Sequence, residues 1–121
     1  GVEPMKRDQD LVRKLLFKFE AEEDWLLLEV GDMLGSSEDE RQEQYHMHLM
    51  MDEGLLTGVG GGTFRMTSYG HDYLDAIRDD TIWNNTKAGA AKVGGASLGL
   101  VFEIASAFVK QKASEIVGIP L

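Results

Sequence analysis

Glu38-Asp39-Glu40-Arg41-Gln42-Glu43-Gln44-Tyr45-His46-Met47-His48-Leu49-Met50-Met51-Asp52-Glu53-Gly54-Leu55-Leu56, continued through Gly60-Gly61-Gly62 to Thr67, is the stretch that decides the fold. Ser37 is placed to cap a helix, with Glu40 three residues on to close a capping box. The acidic first turn sits at the positive end of the helix dipole. Tyr45, Leu49, Met50 and Met51 supply an apolar stripe, and Gly54 just beyond it can take the left-handed conformation that ends a helix. Leu55–Gly58 and Thr63–Met66 have the length of short strands, and the three glycines between them supply the positive dihedrals of a hairpin.

Upstream, Leu11, Val12, Leu15, Leu16 and Phe19 form the buried stripe of a helix from about Asp8 to Glu20. Trp25 to Val30 reads as a short apolar strand or a buried extended segment that pairs with the hairpin. Only Gly31–Ser36 remains for a second helix, which is missing, very short or merged with the long one. Downstream, Thr67 or Ser68 starts a helix with Tyr69, Tyr73, Leu74 and Ile77 inward and Asp72, Asp75, Asp79 and Asp80 outward. Nothing interrupts it strongly before Gly89, so it is expected to run toward Thr86. Gly89–Gly95 reads as a small-residue hinge, and a last helix spans about Ser97 to Val117, ended by Gly118 and Pro120.

The expectation is an α+β, mainly helical protein: a winged-helix-like domain with a small β-wing and an added C-terminal helix. Residues 5–88 form the domain and 89–121 the hinge and last helix. Gly1-Val2-Glu3-Pro4, ahead of Met5, reads as a cloning remnant or a disordered N-terminus. The absence of an apolar leader favours a cytoplasmic address. The absence of cysteine excludes disulfides and thiolate metal sites.

Charge narrows the function. Twelve Lys and Arg against 21 Asp and Glu leave a net of -9, which phosphate backbones repel on average. Residues 36–66, the region expected to approach a DNA groove, carry two basic and six acidic groups. The final helix is interrupted by Glu103 and too poor in apolar residues to span a membrane.

No cofactor or metal is expected. His46 and His48, two apart on a helix, point to nearly opposite sides, so they cannot hold one ion together, and Met47, Met50 and Met51 suit a core better than a copper site. His71 with Asp72, Asp75 and Asp79 reads as a solvated acidic face. Gly58-Val59-Gly60-Gly61-Gly62-Thr63 lacks the Lys-Ser or Lys-Thr of a phosphate loop, and no hydrolase or zinc-protease motif appears. Asn84-Asn85-Thr86 matches a glycosylation triplet only by composition. No small-molecule site is identifiable, and the chain is expected not to be an enzyme.

Met5-Lys6-Arg7-Asp8, Asp10-Leu11-Val12-Arg13-Lys14-Leu15-Leu16, Tyr45-His46-Met47, Gly54-Leu55-Leu56 and above all Asp75-Ala76-Ile77-Arg78-Asp79-Asp80-Thr81-Ile82-Trp83-Asn84 resemble the family called domain of unknown function 2513. The resemblance covers most of residues 5–87. It implies a small bacterial or phage-borne, winged-helix-like protein and no particular activity. His46–Leu56 is also similar to the recognition-helix ends of small bacterial repressors, and Thr67-Ser68-Tyr69-Gly70 to the helix after their wing. The shortened second helix and the acidic Glu38–Glu43 run depart from that pattern and count against direct reading of a major groove.

Two functions compete. In the first, the acidic long helix and the apolar last helix contact protein partners or a second copy, making a homodimer; presenting acidic helices as a nucleic-acid mimic is a variant of it. The interface, or alternatively an intrachain packing face, would be Leu98, Val101, Phe102, Ala105, Phe108, Val109 and Ile116. In the second, the protein is a DNA-binding regulator, with Lys6, Arg7, Arg13, Lys14 and Arg65 on phosphates and Arg41, Gln42 and Gln44 reaching base edges. The acidic balance favours the first. Arg78, Asp79, Asp80 and Trp83 read as a buried ion pair and an aromatic anchor tying the helix after the wing to the C-terminal tail.

Overall fold

Five helices and three strands occur among the described residues, 5–29 and 37–121, of a computed structural model. In order they are α1 (Gln9–Glu20), β1 (Leu27–Leu28), α2 (Glu38–Asp52), β2 (Leu56–Gly60), β3 (Thr63–Met66), α3 (Ser68–Ile77), α4 (Asp80–Lys92) and α5 (Leu98–Val117). The leading residues 1–4 and the Gly31–Ser36 stretch left for a second helix lie outside the described residues. The protein is α+β and mainly helical, with a small antiparallel sheet of order β1-β3-β2. It divides into two compact units, Gly1–His71 and Asp72–Leu121.

In the first unit, each helix boundary follows from a local cap. The Asp8 carboxylate accepts from the N–H groups of Asp10 and Leu11, opening α1. The Ser37 hydroxyl accepts from Glu40 N–H and donates to the Glu40 carboxylate, opening α2. At the other end of α2, Gly54 takes φ +79° while its N–H donates to Met51 C=O and Leu55 N–H donates to Met50 C=O. These are the paired bonds of a Schellman stop, and they turn the chain straight into β2. β2 and β3 pair from Leu56↔Met66 to Gly60↔Thr63, with an irregularity between Gly58 and Gly60. β1 adds to β3 with Leu27 opposite Phe64.

The core of this unit is Val12, Leu15 and Leu16 from α1, Met50 from α2, and Leu55, Leu56, Phe64 and Met66 from the hairpin. Phe19 meets Phe64 edge to face at 5.1 Å. One residue of α2 departs from the expected stripe: Tyr45 is exposed and its neighbour His46 is fully buried. α3 starts tightly against the end of α2. Thr67 Oγ1 accepts from Gly70 N–H and donates to the backbone carbonyls of Gly54 and Leu55, and Thr67 N–H donates to Leu55 C=O. A Cβ at Gly70 would lie 2.3 Å from the Leu55 carbonyl oxygen, so only glycine fits this approach.

In the second unit, the long helix expected from Thr67 toward Thr86 is instead two, broken at Arg78 and Asp79. Asp79 adopts an extended conformation and its carboxylate accepts from Ile82 N–H, which starts α4 anew. α4 then continues through Gly89 to Lys92, so the expected hinge begins only after it. There Gly94 (φ +82°) and Gly95 close a second Schellman stop onto Ala91 and Ala90. Gly89 stays helical where α4 and α5 pack, within ordinary contact distance of Ile104. α5 opens on the Ser97 cap and closes at left-handed Gly118. Ile82, Trp83, Leu98, Val101 and Ala105 are buried, and Phe102 stacks on Tyr73 at 5.8 Å.

Candidate functional site

The surface built by α1, β1 and α2 sets apolar groups beside charged ones. α2 opens on Glu38, Asp39 and Glu40, whose charges favour the helix N-terminus and face solvent. One turn further, Glu43 pairs with Lys18 of α1 at 3.8 Å across the helix pair. Between these helices and β1 runs a groove of about 570 Å³. Leu15, Phe19, Met47 and Phe64 line it with the leucines of β1, and Glu22, Asp24, Glu40 and Glu43 stand around it with Lys18. Sequence periodicity gave no sign of this groove, because its walls combine residues 15–28, one face of α2 and Phe64 of β3.

α1 and α2 are held in this arrangement by His46. Asp8 N–H donates to Nε2 at 2.8 Å, and Nδ1 lies 2.7 Å from Gln42 C=O one turn back along α2. Together these partners assign the ring proton to Nδ1, leaving Nε2 as the acceptor. The capping residue of α1 is thereby tied to the middle of α2. His46 is thus a structural crosslink, and its Asp8 partner lies 38 residues away, beyond the reach of any local pattern.

The candidate nucleic-acid contacts scatter. Lys6, Arg7, Lys14 and Gln42 share one hollow, but Asp8, Asp39, Glu40 and Glu43 line it with them. Arg41 and Gln44 line a different one, beside Glu29 and His48. Arg13 lies over the Phe17 ring at 5.0 Å. Arg65 on β3 donates to the Met66 carbonyl. These residues therefore come together as two groups, each with carboxylates among them, while Arg13 and Arg65 belong to neither hollow.

In the second unit, Leu98, Val101 and Ala105 of the candidate packing face are buried, Phe102, Phe108 and Val109 are half-buried, and Ile116 is exposed near the C-terminal end. Asp79 is the polar centre of this unit. Its carboxylate caps α4 through Ile82 N–H at 2.9 Å and receives Lys112 of α5 at 3.2 Å. The Ile82 N–H first, and Lys112 second, hold its pKa below the ordinary carboxylate value. The expected buried ion pair is not there: Arg78 pairs with Asp75 at 3.0 Å on the surface, where water screens it. Trp83 is buried, with Lys87 Nζ 5.5 Å from its ring centre. His71, Asp72 and Asp75 are exposed, and among the described residues no three His, Asp or Glu side chains converge as a metal set. No described helix is long and apolar enough to cross a membrane.

A model of the family described as Hypothetical protein (DUF2513) matches residues 6–97. The chain belongs to the DUF2513 family. A Haemophilus influenzae relative, described as an uncharacterized protein, is 29% identical over 119 residues, covering 88% of this chain and 98% of its own length. No solved structure matches the chain. Within this DUF2513 protein the matched residues take in the His46 crosslink, the hairpin, the Gly70 approach and the Asp79 cap. They end at Ser97, the residue that caps α5.

Proposed function

We propose that this DUF2513 chain is a non-enzymatic, winged-helix-like module of a bacterium or phage that works through protein–protein contact, self-association included. The fold part of the reading is supported by the order helix, strand, helix, hairpin, with β1 pairing to the far strand of the hairpin. In such a module α2 stands where a recognition helix would, and β2–β3 form the wing. The observation that carries the functional part is the charge of that helix. Its exposed N-terminal half presents Glu38, Asp39 and Glu40 with Arg41 as the sole cation, and the N-terminal residues of a recognition helix are those that meet base edges. A groove-reading helix with that start would bring carboxylates against phosphates, whereas a protein partner with basic groups would be drawn to it.

Exposed Ile116, Val117, Ile119 and Leu121 support self-association through the C-terminal end of α5, because the buried Leu98, Val101 and Ala105 are already occupied. The second reading, a DNA-binding regulator, draws on the hollow that gathers Lys6, Arg7 and Lys14. Light scattering of the purified protein with and without mixed double-stranded DNA, at low and physiological salt, separates the two. A discrete dimer whose mass ignores DNA is expected, and a DNA-dependent shift that fades with salt would overturn the proposal.

A further inference from the structure

The groove between α1, β1 and α2 has apolar surface that continues out of it into solvent. Leu28, on the edge strand, is 77% exposed, and Trp25, between the lining residues Asp24 and Leu26, is 68% exposed. Large apolar side chains left in water beside an apolar hollow mark a contact surface wider than the hollow itself, more than a small ligand would cover. The lining suits an adaptable contact, since the half-buried Met47 and Phe19 offer a flexible thioether and an aromatic ring over a floor closed by buried Phe64. Among the described residues four carboxylates and one ammonium stand around it, and that ammonium, Lys18, is paired with Glu43.

We infer that this groove binds a lysine- or arginine-rich amphipathic helix of a partner protein, its apolar face on Phe19, Met47 and Leu28 and its cations beside Glu22, Asp24 and Glu40. The inference rests on the interaction-module reading and names the partner's chemistry. Charge fixes the sign: an acidic segment would be repelled by the rim carboxylates, while a basic one is steered inward and held at the rim. The helical form follows from the strand edge. Among the described residues β1 offers two, too few for a main-chain ladder to carry binding, so spaced side-chain anchors serve instead, as in helix-in-groove recognition.

The test uses a synthetic peptide of about 18 residues, Leu and Lys at helical spacing and no Trp, titrated into the full chain. Trp25 is the reporter, because the second tryptophan, Trp83, is only 3% exposed. Binding should blue-shift the emission. Leu28→Gln and Glu22→Lys, both at exposed positions that folding does not need, should each raise Kd by about tenfold. A peptide of the same composition without an apolar face, and one with Glu in place of Lys, should bind far more weakly. Equal binding of the scrambled peptide, unchanged Kd in both variants, or no emission change would overturn the groove assignment. If the peptide fails while the protein still forms a dimer that ignores DNA, the groove assignment falls and the wider reading stands. Salt-sensitive binding to duplex DNA would instead remove the wider reading.

Discussion

Replacing Gly70 by alanine separates two effects that act on the same residue. In a helix interior, Ala is favoured over Gly by about 0.5–1 kcal/mol, so helix propensity alone predicts stabilisation. Packing predicts the reverse. The new Cβ would stand 2.3 Å from the Leu55 carbonyl oxygen and 2.9 Å from Met66 Cγ. The methionine can move, but the carbonyl cannot easily do so, since it already accepts from Thr67 N–H at 3.0 Å and from Thr67 Oγ1 at 3.1 Å. Relief requires α3 to back away by roughly 1 Å, the distance to ordinary van der Waals separation, which stretches those bonds. Overpacking costs about 1–3 kcal/mol and a weakened hydrogen bond about 1 kcal/mol, so after the propensity gain the net loss is ~2 kcal/mol. For a chain of this size that lowers Tm by about 10 °C. Gly89 is the control. It is also helical, but its added Cβ would meet only Ile104 Cγ2 at 3.6 Å, so Gly89→Ala should raise stability by about 0.5–1 kcal/mol. Thermal and urea unfolding followed by circular dichroism measures both. Gly70→Ala at or above wild-type stability would refute the close-approach argument.

Substituting His46 by Leu keeps the volume roughly but leaves Asp8 N–H without its acceptor and Gln42 C=O without its side-chain donor; urea unfolding should show a loss of about 2–4 kcal/mol, and an unchanged midpoint would contradict the crosslink. Asp79 gives a pH dependence. Its folded pKa lies below the ordinary 3.8, so the stability it contributes is fully present above that value and disappears as pH falls through the folded pKa. Asp79→Asn keeps a capping oxygen but loses the charge that meets Lys112, so its melting temperature should vary less than that of the wild type below about pH 4; parallel curves would argue against the Asp79–Lys112 pairing.

The parts of the fold that were legible in the sequence are those decided by local chemistry. Ser37 with Glu40, Gly54, the three hairpin glycines, Ser97 and Gly118 each act within a few residues of their own position, and each performs the role its type implies. The strand at Leu27–Leu28 was legible from its apolar run. Part of what escaped depended on distant partners. Polarity ranks Tyr45 above His46 for burial, yet His46 is inside because Asp8 N–H waits for its ring nitrogen. The break at Arg78–Asp79 carries no glycine or proline and is decided by the Asp79 carboxylate turning back on Ile82 and out to Lys112. Gly89 looked like a hinge, but it marks where α4 and α5 come close. Arg78 was expected inside and lies at the surface with Asp75, its neighbour one helical turn back.

Whether the acidic start of α2 turns this protein away from nucleic acid is tested most directly by the anisotropy of a labelled duplex titrated with the protein at low salt. No rise is expected up to protein concentrations of about 10⁻⁴ M, where even non-specific DNA binders respond. A rise that weakens steeply with added salt, and that Arg65→Ala or Lys14→Ala diminishes, would contradict it.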